Sequence, residues 1–382
     1  MRRTPNDIES LEEEKINPGS GSYTKPRNRY SLESDLSNRS QSFPSNIQDY
    51  QDIALGEAQK HREGRESYYT FPIYHNGTLL VHRRYREFVW LRNQFAETFP
   101  GCITTALPEK EGIIGYWTNQ ESIFYTMRRY GLEKFLKRVA GHPKLSQSQE
   151  FLFFMRDDEA NLQIRMKESL AKKGWIGTFS DFKSSVSSTI SSYMYGEQPI
   201  LQDEADVFFN TQRTELRGLY QQQELLCSQG NEMVTNLDAE INSNIALSKA
   251  YENMRKVEKE QIAEKLKILA ETHHQIAEVQ KESFDKIKLL VGQDLEDYRR
   301  LTLGALETLE RRNKIKIEKP EIYANISMRD LNADLKKDLE QFQQEKIFLG
   351  KSVSNQLIIY KQEMTEKISE VWREAYNRVI GW

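Results

Sequence analysis

A small α+β domain followed by a long all-α region is the fold class this sequence predicts, and three observations carry it. Around residues 67–85, short aromatic and β-branched runs are split by His75-Asn76-Gly77. From Glu87 onward, apolar residues recur at helical spacing. Beyond about residue 200 there is one proline, Pro320, within three long apolar stripes.

The elements follow in order. Residues 1–47 are rich in Ser, Asn, Arg, Glu, Pro and Gly with few large hydrophobes, so they read as a disordered tail that cannot offset ordering entropy. Residues 48–158 form the α+β domain. Asn76-Gly77 predicts a tight hairpin, because both positions tolerate positive φ. Phe88, Leu91, Phe95 and Phe99 mark a helix that Pro100-Gly101 stops. A loop around Pro108 leads to a second helix, "SIFYTMRRYGLEKFLKRVAG", which ends at Gly141-His142-Pro143. Sheet first and helices after is an α+β order.

The rest of the chain is helical. A first pattern runs from Asp203 to about Arg255. A second repeats through Ile276, Gln280, Phe284, Ile287, Val291, Leu295 and Tyr298. A third runs through Leu349, Val353, Leu357, Tyr360, Met364, Ile368, Val371, Ala375 and Val379. Steps of 4, 4 and 3 make an eleven-residue period, close to that of a straight helix. Rods this long must bury their stripes against one another. The width of the stripes suggests that a second copy or a related chain completes the core.

The 382 residues carry a formal net charge of -3, so there is no bulk attraction to nucleic acid and any anion site must be local. Cys102 and Cys227 are far apart, without metal-ligand spacing, and read as reduced thiols. Neither a signal-peptide stretch nor a run of 18 apolar residues occurs, which predicts contact with membranes from the cytosolic side only. His273-His274 has no ligand-spaced partner, and His273 falls on an apolar stripe as a core histidine would. Nucleophile-elbow, Walker and H-E-x-x-H motifs are missing, so no enzyme, cofactor or metal is expected.

Chemistry concentrates at "VHRRYREFVWL" (81–91). Arg83, Arg84, Tyr85 and Arg86 stand where the second hairpin strand passes into a helix. Three arginines together read either as a solvated strand end or as a phosphate clamp beside an aromatic ring. Lys110, after Pro108, and Arg128 or Arg129, on the second helix, could converge on the same place.

"RRYREF", then "TFPGC…ALPEK", then "RRYGLEKFLKRVAGHPKLSQSQEFLFFM" together resemble a phox-homology (PX) domain of the sorting-nexin type. The helical region after it resembles a BAR domain. That resemblance implies a three-stranded sheet plus helices over 48–158, a linker over 159–198, and an elongated three-helix bundle over 199–382 that dimerises. It also implies that Arg84 grips the 3-phosphate of phosphatidylinositol 3-phosphate and Tyr85 stacks under the inositol. Lys110 would hold the 1-phosphate, and Arg128 the 4- and 5-hydroxyls. The chain departs from the family in having Pro108 alone before Lys110, where a proline-rich turn is usual. Ile103, Leu107, Ile113, Ile114, Tyr116 and Trp117 could supply an apolar tip there.

Two further membrane elements are expected. Trp175, Phe179, Phe182, Val186 and Ile190 form an apolar stripe on a serine-rich helix, either lying in a membrane interface or folded onto the bundle. Arg311, Arg312, Lys314, Lys316 and Lys319 precede Pro320 at the hairpin of the second and third rods, a basic tip for anionic headgroups or a solvated end. The expected protein is a peripheral membrane protein on the cytosolic face of early or recycling endosomes, binding phosphatidylinositol 3-phosphate and anionic membranes. It would sense or induce curvature as a homodimer, or as a heterodimer with another sorting nexin, and work with a retromer-like cargo complex. The alternative is a coiled-coil scaffold whose small domain binds protein.

Overall fold

The computed structural model describes residues 52–108 except 65, then 121–172, 204–318 and 324–380. Its sheet is built on one long strand. β3 (Glu66–His75) pairs antiparallel with β4 (Thr78–Arg84) along one edge. Its other edge is shared end to end by β2 (Gln59–Glu63) and β1 (Ile53–Leu55). The sheet is therefore three strands wide, with one edge interrupted where the Gly56 N–H still donates to Pro72 O at 2.8 Å. The β3–β4 turn holds Asn76 and Gly77 at φ of 50° and 76°, as that pair predicts.

β4 passes without a loop into α1 (Tyr85–Thr98), followed by α2 (Glu121–Gly141), α3 (Gln149–Arg156) and α4 (Glu159–Lys172). Strand alternation turns Phe71 and Ile73 inward, where they meet Phe88, Leu91 and Phe95 of α1. Leu132, Phe135 and Leu136 of α2 and Phe151 and Phe154 of α3 close this core. Each buried side chain of this size contributes about 1.5–3 kcal/mol.

The helical region has three rods, as the stripes predict: α5 (Glu204–Arg255), a composite second rod, and α8 (Met328–Ile380). The second rod is α6 (Glu260–Leu289), one wide π-helical turn (Leu290–Leu295) and α7 (Glu296–Glu318). Ile276, Gln280, Ile287, Val291 and Leu295 from its stripe are all buried. His273 is half-buried, with Nδ1 2.8 Å from Asn244 Oδ1 and its ring stacked on Tyr251, which is the structural role expected of it.

The small domain packs on α7 and the first half of α8 through a charge-complementary face. Arg138 forks onto Asp297 at 2.6 and 2.8 Å and reaches Glu345 at 2.6 Å. Arg92 pairs with Glu307, Lys144 with Asp334 at 2.6 Å, and Tyr130 donates to Asp294. Gly304 admits the backbone of Thr104 so closely that a Cβ there would stand 2.2 Å from the Thr104 carbonyl oxygen. Ile103 packs in the bundle core and Leu107 against the small domain's core, so neither is free to enter a bilayer.

Cys102, His142 and Asp338 meet at this junction, with ligand-type atoms within 4.8 Å of one another. The histidine is already committed. Its Nδ1 accepts from the N–H groups of Lys144 and Leu145 at 3.2 and 3.1 Å. The proton is thereby assigned to Nε2, which donates to Asp338 at 3.0 Å. That ring cannot also offer a lone pair to a metal, and burial pushes the Cys102 thiol up to about 12. The cluster is a hydrogen-bonded clasp.

Candidate functional site

The three clustered arginines have three different fates. Arg83 pairs across the strands with inward-facing Phe71 and is 1% exposed. Its Nε donates to Phe154 O at 2.7 Å and its Nη2 to Asp157 O, binding the sheet to the end of α3. Arg84, opposite Thr70, lies on the other face of the sheet, half-buried, with its guanidinium 3.7 Å from the ring centre of Tyr68. Arg86 is exposed on α1. Strand alternation thus divides one sequence cluster into a structural arginine and a surface-accessible one. Replacing Arg83 with Met should destabilise the domain by about 2–4 kcal/mol, read as a shift in thermal unfolding, because the carbonyls of Phe154, Asp157 and His82 lose charged donors.

Glu87 fixes the turn from strand to helix by accepting the Arg84 N–H at 2.9 Å. Burial pushes the Glu87 carboxyl up, against the pull of that N–H and of Arg83. Tyr85, the first residue of α1, donates its hydroxyl to the carbonyl of Pro108, two residues before Lys110 in the sequence. Its ring faces Arg128, whose guanidinium lies 4.5 Å from the Tyr85 centroid and 4.1 Å from that of Phe124. Burial lowers the proton affinity of Arg128, with Tyr85 and Tyr125 opposing, but the guanidinium keeps its charge. Arg129 instead donates to Leu55 O at 2.9 Å and serves the fold.

The structure therefore brings Arg84, Tyr85 and Arg128 to the junction of β4, α1 and α2. A guanidinium fork and an aromatic platform at that junction can take a phosphate on a polyol ring. Lys110 and the stripe Trp175, Phe179, Phe182, Val186 and Ile190 lie outside the described residues, as do Lys319, Ile113, Ile114, Tyr116 and Trp117. Tyr68, which supports Arg84, was missed from sequence. The signal for it is the β2–β3–β4 register, which puts Tyr68, Thr70 and Arg84 on one face.

The basic tip needs correction. Arg312 is fully buried, 2.7 Å from Asp206, and Lys316 reaches the same carboxylate at 2.6 Å. Arg311 donates to Pro100 O of the small domain at 3.3 Å. The acid at the start of α5 and the packed domain draw these three inward, so none of them is a free headgroup contact. Lys314 stays at the surface, 3.9 Å from Glu318.

The PX domain family model matches residues 71–158. Sorting nexin 1 of Arabidopsis thaliana is 31% identical over 169 residues, 41% of each chain. Sorting nexin-30 of Xenopus tropicalis is 31% identical over 156 residues, 39% of this chain and 33% of that one. Human sorting nexin-7 is 30% identical over 124 residues, 30% of this chain and 32% of its own. These matches span a third to two-fifths of the relatives' length. The cryo-EM structure of the SNX-BAR Mvp1 tetramer superposes over 85% of this chain and all of that one, with a TM-score of 0.52 at 16% identity. A PX domain packed on a three-rod helical bundle is thus the fold that this chain shares with that SNX-BAR structure. Residues 71–158 are a PX domain, and the chain is similar in sequence to sorting nexins over the lengths given above.

Proposed function

We propose that the chain binds phosphatidylinositol 3-phosphate on the cytosolic face of early or recycling endosomes, with Arg84, Tyr85, Arg128 and Lys110 around the headgroup. The observation that carries this reading is the division of the arginine pair. Arg83 is consumed by three carbonyls, while Arg84 stays partly accessible on an aromatic support beside Tyr85. Dimerisation, with a like chain or another sorting nexin, completes the bundle. Its support is the end of the bundle beyond the PX contacts, where Met254, Ile262, Ile358, Ile359, Trp372 and Tyr376 are exposed. Two weak headgroup sites on one dimer raise avidity by about 10²–10⁴. An elongated dimer presenting both sites favours curved membranes, which suits a role in tubular recycling with a retromer-like cargo complex.

Sedimentation with vesicles at fixed salt, with and without phosphatidylinositol 3-phosphate, tests the reading. Arg84→Ala should leave unfolding unchanged to within about 0.5 kcal/mol, because the residue is half-exposed. It should weaken lipid-dependent binding about tenfold or more. Binding that ignores both the lipid and Arg84 overturns the pocket. Absence of membrane binding in the wild type favours a protein scaffold instead.

A further inference from the structure

The bundle sends one arginine toward the PX domain with one branch of its guanidinium unpartnered. Arg300 of α7 is 7% exposed, and its Nη2 is buried without a hydrogen-bond partner. Asp297, on the same helix, is engaged by both branches of the Arg138 fork. Arg299 and Arg138 add like charge around Arg300, and burial lowers its proton affinity although Asp297 and Glu296 oppose. A buried, charged N–H group without an acceptor is costly in a protein interior.

Its position explains what the charge is for. A Cβ at Gly131 would lie 3.2 Å from Arg300 Nη2 and 2.4 Å from Pro108 Cγ, so loop, helix and arginine converge where only glycine leaves room. Gly131 is one helical turn after Arg128 on α2. Pro108 is the residue whose carbonyl receives the Tyr85 hydroxyl. The Arg300 main chain also anchors that loop, accepting from the Ala106 N–H at 3.2 Å. Tyr85, Pro108, Gly131 and Arg300 thus form a continuous line of contact from the headgroup platform to the bundle.

We propose that Arg300 completes the PX anion pocket from the bundle side, its guanidinium taking a phosphate-ester oxygen at the base of the Pro108 loop. This rests on the headgroup reading above. The ligand chemistry is a phosphate monoester or diester, whether on a lipid or free in solution. Binding then depends on the bundle as well as on the PX domain, because the PX domain alone lacks one of its cations.

The test uses the full chain as wild type, Arg300→Met, Arg300→Lys and Arg84→Ala. The probes are water-soluble dibutanoyl phosphatidylinositol 3-phosphate, titrated calorimetrically, and inorganic phosphate, followed by melting temperature. Arg300→Met should melt at or above the wild-type temperature and bind the soluble lipid about tenfold more weakly, with Arg300→Lys between them. Unchanged lipid affinity in Arg300→Met, with a raised melting temperature, overturns the proposal and leaves Arg300 an unpaired charge. Wild-type affinity in Arg84→Ala sinks the headgroup reading alone. In that case, stabilisation by inorganic phosphate that disappears in Arg300→Met still supports the anion site, with free phosphate as its ligand, and its persistence rejects the site. If Arg300→Met fails to fold, Arg300→Lys decides: lipid affinity weaker than wild type supports the contact, and wild-type lipid affinity overturns the proposal.

Discussion

Replacing Asp206 with alanine should destabilise the bundle by about 3–5 kcal/mol, seen as a large drop in urea midpoint at fixed protein concentration. Asp206 and Arg312 are both fully buried, 2.7 Å apart, and Lys316 joins at 2.6 Å. Removing the carboxylate leaves a guanidinium stranded beneath Phe209, whose ring centre is 4.7 Å away. The cost is that of an uncompensated buried charge rather than of a lost attraction. The double variant Asp206→Leu with Arg312→Met should therefore recover most of the loss. A single variant that costs under about 1 kcal/mol would return Arg312 to solvent and restore the basic tip.

Arg138→Met should cost a similar roughly 3–5 kcal/mol and separate the PX domain from the bundle, since Asp297 is 1% exposed and would lose both hydrogen bonds. Small-angle scattering should show a larger radius of gyration. Burial pushes the Asp297 carboxyl up, but the Arg138 hydrogen bonds and charge prevail and hold it below the usual carboxylate range. In the wild type, that contribution is fully present above about pH 4 and is lost as pH falls through the lower folded value. In the variant burial dominates, so protonation relieves the buried charge and acid helps the fold. The stability gap between wild type and variant should narrow on acidification. A gap that widens between pH 6 and pH 4 would refute this account of the clamp.

What could be read from sequence follows from how local each signal is. The Asn76-Gly77 hairpin, the helix stopped at Pro100-Gly101 and the three rods all declare themselves within a turn or two of chain, and all three stand. The motif order names Tyr85 and Arg128 separately as headgroup residues, and the contact between guanidinium and ring appears only in the fold. Nor could the fates of individual arginines be read. Arg83 and Arg312 look like any surface arginine until Phe154 and Asp206, 71 and 106 residues distant, are folded against them. Charge-complementary packing leaves no periodic trace, because Arg138 and Asp297 each read as an ordinary helix-surface charge. The interrupted sheet edge was equally silent, its strands being three and five residues long.

The wide turn at Leu290–Leu295 has a geometric consequence for the junction. A π turn holds one residue more than an α turn, which offsets everything after it by about 100° around the helix axis. Downstream, Asp297, Arg300, Gly304, Glu307 and Arg311 recur at steps of 3, 4, 3 and 4 and share the stripe that meets the PX domain. Upstream, Ile276, Gln280 and Ile287 occupy the stripe that fills the bundle. The inserted residue works like an offset key: it lets one continuous rod show its neighbouring helices one side and the PX domain another, with no break in the chain between the two.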